Sequence, residues 1–192
     1  MNIFQNKTFW IGAALVSLMA ATRYQHFGSV LTLPDASYAV FFLGGLFLGR
    51  VRGALAILAV LILEAALVDF YAINFNGISA YCVTSAYGFM VFAYAALWFV
   101  GRWFAPRFES SAKGLASLAV AAAFAGSAAF IIANVSFYLL AGYFDTMSVV
   151  EYVSRVTQYY GSYVAVMLMY VGFAVGVQML SRLNHPQLSG NE

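Results

Sequence analysis

GALAILAVLILEAALVDFYAINFNGISAYCVTSAYGFMVFAYAALWFVG, Gly53 to Gly101, decides the fold. Two apolar runs flank a polar turn, and each run approaches the ~20 residues that a helix needs to cross a hydrocarbon core of about 30 Å. The turn carries Asn76-Gly77, a pair that breaks regular structure, and then Cys82, the single cysteine of the chain. The stretch reads as a transmembrane hairpin with a thiol at one membrane surface, where the second helix begins.

Composition extends this reading to the whole chain. With 64% hydrophobic and 8% charged residues, it lies far from the roughly 25% charged of a soluble domain. The 192 residues accommodate about six spans in a single domain, 1–192. Apolar length and the charged or Gly/Pro-bearing breaks place those spans near 9–25, 36–49, 53–73, 83–101, 115–141 and 159–181, all helical. The expected fold class is thus all-α membrane protein. Phe9 to Ala21 makes only about 20 Å of helix, so helix 1 is expected to extend at one end. Lys7 followed by FWIGAALVSLMAA also has the look of a signal peptide; it is read here as a retained first helix. No internal repeat is found, and low complexity is confined to the short tail LSGNE. A net charge of +2 gives no reason to invoke nucleic acid, and one cysteine forms no intrachain disulfide.

Six spans sort the cations by side. Lys7, Arg50, Arg52, Arg102, Arg107, Lys113 and Arg182 fall on one side, Arg23 and Arg155 on the other. Because cytoplasmic loops retain Lys and Arg, this count puts both termini in the cytoplasm. Residues 23–35, 74–82 and 143–158 then form outward loops, and Cys82 faces out.

The aromatic residues also separate. Trp10, Trp98 and Trp103 fall toward the cytoplasmic side, whereas Tyr24, Tyr38, Tyr71, Tyr81, Tyr87, Tyr138, Tyr143, Tyr152, Tyr159, Tyr160 and Tyr163 lie in or near the outer half. One account is a one-sided interfacial belt. The other is an outward ligand pocket lined by flat rings that carry hydroxyls. Charges near the outer ends fit the second account, since ionisable residues in spans usually face a bundle interior or a watery cavity. Asp69 ends helix 3. Arg155 either serves a ligand or pairs with Glu151 one helical turn away. His26 is either interfacial or a second ligand reaching the site. Glu64, nearer mid-span, is expected to be buried, and partnered or protonated.

Six helices in under 200 residues, a lone cysteine after the second outward loop, and Asp69, Cys82, Tyr87 and Arg155 resemble the substrate-binding S-components of energy-coupling factor (ECF) vitamin transporters, and within them the BtuM family of proposed cobalamin transporters. The resemblance implies a bundle in the bacterial cytoplasmic membrane that captures cobalamin or a related corrinoid from outside. It makes Cys82 the axial ligand of the cobalt, with Asp69, Tyr87 and Arg155 as polar partners of the ligand or its covering loops, and His26, Tyr81 and Tyr159 as further ligand-binding candidates. A thiolate is a soft ligand suited to such a centre, and a helix N-terminus favours the thiolate form. The same Cys82 is a candidate catalytic group that displaces cyanide from cyanocobalamin.

Family S-components dock through small residues on helix 1 onto a transmembrane component with two ATPases. Ala13, Ser17 and Ala21 provide a looser version of that stripe. The chain has no GxxxxGK[ST] of its own, so any ATP hydrolysis belongs to a partner. Two other classes are considered. Gly77-Ile78-Ser79 faintly matches a rhomboid serine motif but lacks its next Gly and a later His in a span. An exosortase-type cysteine peptidase would use Cys82, Arg155 and His26, in an order that departs from that family. A structural or sensory bundle would explain every polar residue by packing, with Cys82 a small buried hydrophobe.

Overall fold

The computed structural model describes residues 7–23 and 33–183. Six α-helices account for most of it: α1 (Lys7–Arg23), α2 (Ser37–Leu48), α3 (Ala54–Asn76), α4 (Met90–Phe104), α5 (Ala112–Leu140) and α6 (Val149–Leu183). Ala54–Asn76, Ser85–Arg107, Ala112–Leu140 and Val149–Leu180 are each long and apolar enough to cross a membrane. By length and composition the chain is therefore a multi-pass helical membrane protein.

α2 lies at the centre. Its 12 residues make about 18 Å of helix, too short to cross a bilayer alone. All but Phe47 are buried, and α1, α3, α4, α5 and α6 all pack against it. A helix that is apolar all round is suited to such a place. Its tightest neighbour is α4, where Gly45 lies against the Trp98 backbone and Gly101 against the Phe42 carbonyl, so a β-carbon at either glycine would collide with main chain. The Phe41 and Tyr94 rings stack across the same contact at 4.1 Å.

The outer helices follow the pattern expected in lipid. On α3, Ala54, Leu58, Leu61, Ala65, Asp69 and Ala72 recur at three- and four-residue spacing and are buried, while Leu55, Val60, Leu63, Leu67 and Phe70 are exposed. The large apolar side chains face out, where hydrocarbon covers them, and small residues mediate much of the helix contact.

Two boundaries differ by more than three residues from those read in the sequence. α4 begins at Met90; residues before it form two short 3₁₀ turns, Ala80–Cys82 and Ser85–Phe89. The Ser79 and Thr84 hydroxyls accept from the Tyr81 and Ala86 backbone N–H groups and divert the chain from an α-helix. α6 begins at Val149, so most of the expected loop 143–158 is helix. Ser148 and Glu151 have capping-box spacing, and the Ser148 hydroxyl accepts from the Glu151 N–H. The Asn76-Gly77 signal ends α3: Gly77 adopts φ 68° and the Ile78 N–H returns to the Ala72 carbonyl.

Candidate functional site

At the end of the bundle that holds the α1 C-terminus and the α2 N-terminus, the side chain of Arg23 enters the interior, and the residue is 4% exposed. It extends the buried stripe Leu15, Met19, Thr22 on α1. Its Nε donates to Asp69 Oδ1 at 2.8 Å and Nη2 to Asp69 Oδ2 at 2.6 Å, a two-pronged pair in which both side chains are almost wholly buried. Nε also reaches the Ala65 carbonyl, and Nη1 donates to Ser37 Oγ and to the Tyr94 hydroxyl, each at 2.8 Å. Every donor direction used points to an acceptor, which is the condition for burying a guanidinium.

The acceptors are themselves held. Tyr87 donates its hydroxyl to Asp69 Oδ2 at 2.6 Å, and Ser37 donates its hydroxyl and backbone N–H to Asp35 Oδ1. Asp35 lies 3.9 Å from Arg23. The Thr22 hydroxyl accepts from the Ala36 N–H. Arg23 at a helix C-terminus and Asp35 beside a helix N-terminus each interact favourably with the local helix dipole. One network thus ties α1, α2, α3 and α4 together at this end, and Asp69 and Tyr87 are brought together in it. Arg23, counted above only as an outward charge, is its centre.

Cys82 is exposed on its 3₁₀ turn rather than buried as a small hydrophobe. It does not begin α4, which starts eight positions later, so the helix-dipole argument for a thiolate does not apply to it. Protein packed against one side of this exposed residue still desolvates the thiol and pushes it above its ordinary range, and the Asp69 carboxylate adds to that shift. Tyr152 and Tyr163 on α6 lie within electrostatic reach of the sulfur.

Beside Cys82 stands a wall of rings. Tyr81 stacks on Tyr143 at 4.6 Å and meets Phe137 edge-on at 5.7 Å; Phe137 and Tyr152 both pack on Phe144. Tyr138 holds the Met147 carbonyl and Tyr152 holds Asn134, which fixes the α5–α6 turn. Tyr81 and Tyr143 keep broad exposed faces.

Other candidate residues are placed elsewhere. Arg155 is on α6, not in a loop, and its Nη2 bonds Glu151 at 2.7 Å with both side chains exposed. Tyr159 is exposed one turn further on. His26 lies outside the described residues. Both Glu64 carboxylate oxygens are buried with no hydrogen-bond partner among the described residues. Two grooves in the bundle, between α4 and α5 and between α1 and α3, are both lined by residues other than Cys82. Among the described residues no group of three or more His, Cys, Asp or Glu is placed to hold a free metal ion.

Comparison with protein-family models and with curated proteins finds no match to this chain.

Proposed function

We propose that the protein is a corrinoid-binding and uptake component of the bacterial cytoplasmic membrane, similar to the ECF S-components, with Cys82 as an axial ligand of the cobalt of cobalamin. The observation that carries the reading is the exposed Cys82 thiol beside the stacked faces of Tyr81 and Tyr143. A corrin is broad, flat and fringed with amides, so it matches ring faces that also offer hydroxyls. It supplies four equatorial nitrogens to its cobalt, which answers the absence of a multidentate metal cluster among the described residues. Asp69 and Tyr87 act in this account mainly by fixing the loop that carries Cys82, because their hydrogen bonds are spent on Arg23 and on each other. Arg155, Tyr159 and His26 are proposed to meet the periphery of the ligand.

In the same reading this end faces outward and both termini are cytoplasmic. Its two cations, Arg23 and Arg155, are each paired with a carboxylate, whereas Lys7, Arg50, Arg52, Arg102, Arg107 and Lys113 belong to the opposite end. Ser17 and Ala21 are exposed on α1 and offer a close-approach face to an ECF transmembrane component and its ATPases. With cyanocobalamin, Sγ replaces cyanide by ligand exchange: a Co–S bond forms, the Co–CN bond breaks, the thiol proton leaves with cyanide, and the cobalt oxidation state is unchanged.

The test is to incubate the detergent-purified protein with cyanocobalamin, remove free vitamin, and weigh the complex by native mass spectrometry. A one-to-one complex lacking the mass of cyanide supports binding with exchange; retention of intact cyanocobalamin refutes exchange but not binding. No retained corrinoid from cyano-, hydroxo- or adenosylcobalamin refutes the function.

A further inference from the structure

An apolar groove lies between α4 and α5, and Cys82 is not among the residues that line it. It is an open trough of about 840 Å³ and is almost wholly apolar. From Lys113 to Phe124 along α5 it runs about 16 Å at 1.5 Å per residue, close to half of a ~30 Å hydrocarbon core. It is therefore one leaflet deep. Phe99, Val120 and Phe124 line its inner reach, and all three are exposed on helices long and apolar enough to cross a membrane.

Its other end is chemically different. Lys113 and Trp103 line the mouth, and the Arg107 guanidinium lies 4.3 Å over the Trp103 ring while donating to the Trp103 carbonyl. Trp is the residue most at home at the headgroup level, so the mouth lies at the membrane interface. The connection between the helices and the first turn of α5 carry two cations, Arg107 and Lys113, against a single carboxylate, Glu109. Arg107 is held in place by the ring beneath it and has donors left to offer.

From this geometry we infer that the α4–α5 groove is a binding site for an anionic phospholipid, with an acyl chain along the apolar trough and the phosphate between Arg107 and Lys113. The length match selects a lipid chain, and the charge at the mouth selects an anionic headgroup over a zwitterionic one. The site is independent of the corrinoid reading, since it shares no residue with it.

Native mass spectrometry of the full chain in neutral detergent, with equimolar dioleoyl phosphatidylglycerol and dioleoyl phosphatidylcholine, tests it. Phosphatidylglycerol is expected to be retained about fivefold over phosphatidylcholine per engaged cation. The double variant Arg107→Gln/Lys113→Gln brings that ratio to about one. Ala116→Phe, an exposed position that fills the trough, lowers retention of both lipids. A wild-type ratio near one, a ratio unchanged in the double variant, or retention unaffected by Ala116→Phe would each overturn the assignment.

Discussion

Two arginine–carboxylate pairs sit at the same end of this bundle and differ in almost every physical respect. Arg23 and Asp69 are joined through two of the three guanidinium nitrogens, with side chains 5% and 8% exposed and 46 residues apart in the chain. Arg155 and Glu151 are one helical turn apart, joined by one bond, with side chains 63% and 50% exposed. The first pair closes four helices over one another at their ends. The second decorates a helix. Charge counting along a sequence weighs the two alike, but burial gives them opposite meanings. A buried pair imposes a large penalty when either partner is lost, whereas solvent screens the exposed one.

Removing the arginine from each pair should break the comparison most clearly. Arg23→Met leaves Asp69 as an uncompensated buried charge and is expected to destabilise the protein by about 3–5 kcal/mol. It would be read as a lowered midpoint of denaturant unfolding in detergent. A loss below about 1 kcal/mol, the size expected of a surface pair, would show that the Arg23 network is not closed as described.

Next in size is a pH effect that links the buried pair to the thiol beside it. Ligation of a metal by Cys82 releases a proton, and burial and Asp69 hold the thiol above its ordinary value. Over the range where the thiol is protonated, apparent affinity through sulfur rises with pH, about tenfold per unit and so about a hundredfold from pH 6 to 8. Spectroscopic titration of the sulfur-ligated fraction across that range checks it. A flat profile would mean that sulfur does not enter the bond.

Tyr87→Phe removes one charge-assisted bond to Asp69 and is expected to cost about 1.5–3 kcal/mol, less than the loss of Arg23. At the bottom of the scale, Arg155→Ala should change stability by less than about 0.5 kcal/mol. A corrinoid affinity that falls tenfold in Arg155→Ala, with stability unchanged, would sharpen the comparison by giving the exposed arginine a ligand rather than a structural role.

The elements most legible in the sequence are those bounded by strong breakers. Pro34 and Asp35 precede α2 and Gly49-Arg50 follow it, and the expected 36–49 is within one residue of the helix at each end. The start of α4 was not legible by apolar length, because GISAYCVTSAYG is hydrophobic enough to pass for helix while its Ser and Thr hydroxyls fold it into 3₁₀ turns. The start of α6 was legible in principle, through the spacing of Ser148 and Glu151, but the polar residues of VVEYVSRVTQYYG read as loop when apolar length alone is scored. Asp69 and Arg23 both continue buried stripes on their helices, but the exposed positions of α1 and α3 are as apolar as the buried ones, so hydrophobic periodicity does not mark either side chain as inward. That they meet one another depends on how α1 and α3 are packed, which no local pattern encodes.

The most direct test of the account is the visible absorption spectrum of the purified protein after incubation with cyanocobalamin and removal of free vitamin, beside that of Cys82→Ser. Sulfur ligation predicts a retained colour whose spectrum differs from that of the free vitamin in the wild type, and its loss or return to the free form in the variant. A colourless wild type, or identical bound spectra in the two proteins, would contradict the assignment of Cys82 as the cobalt ligand.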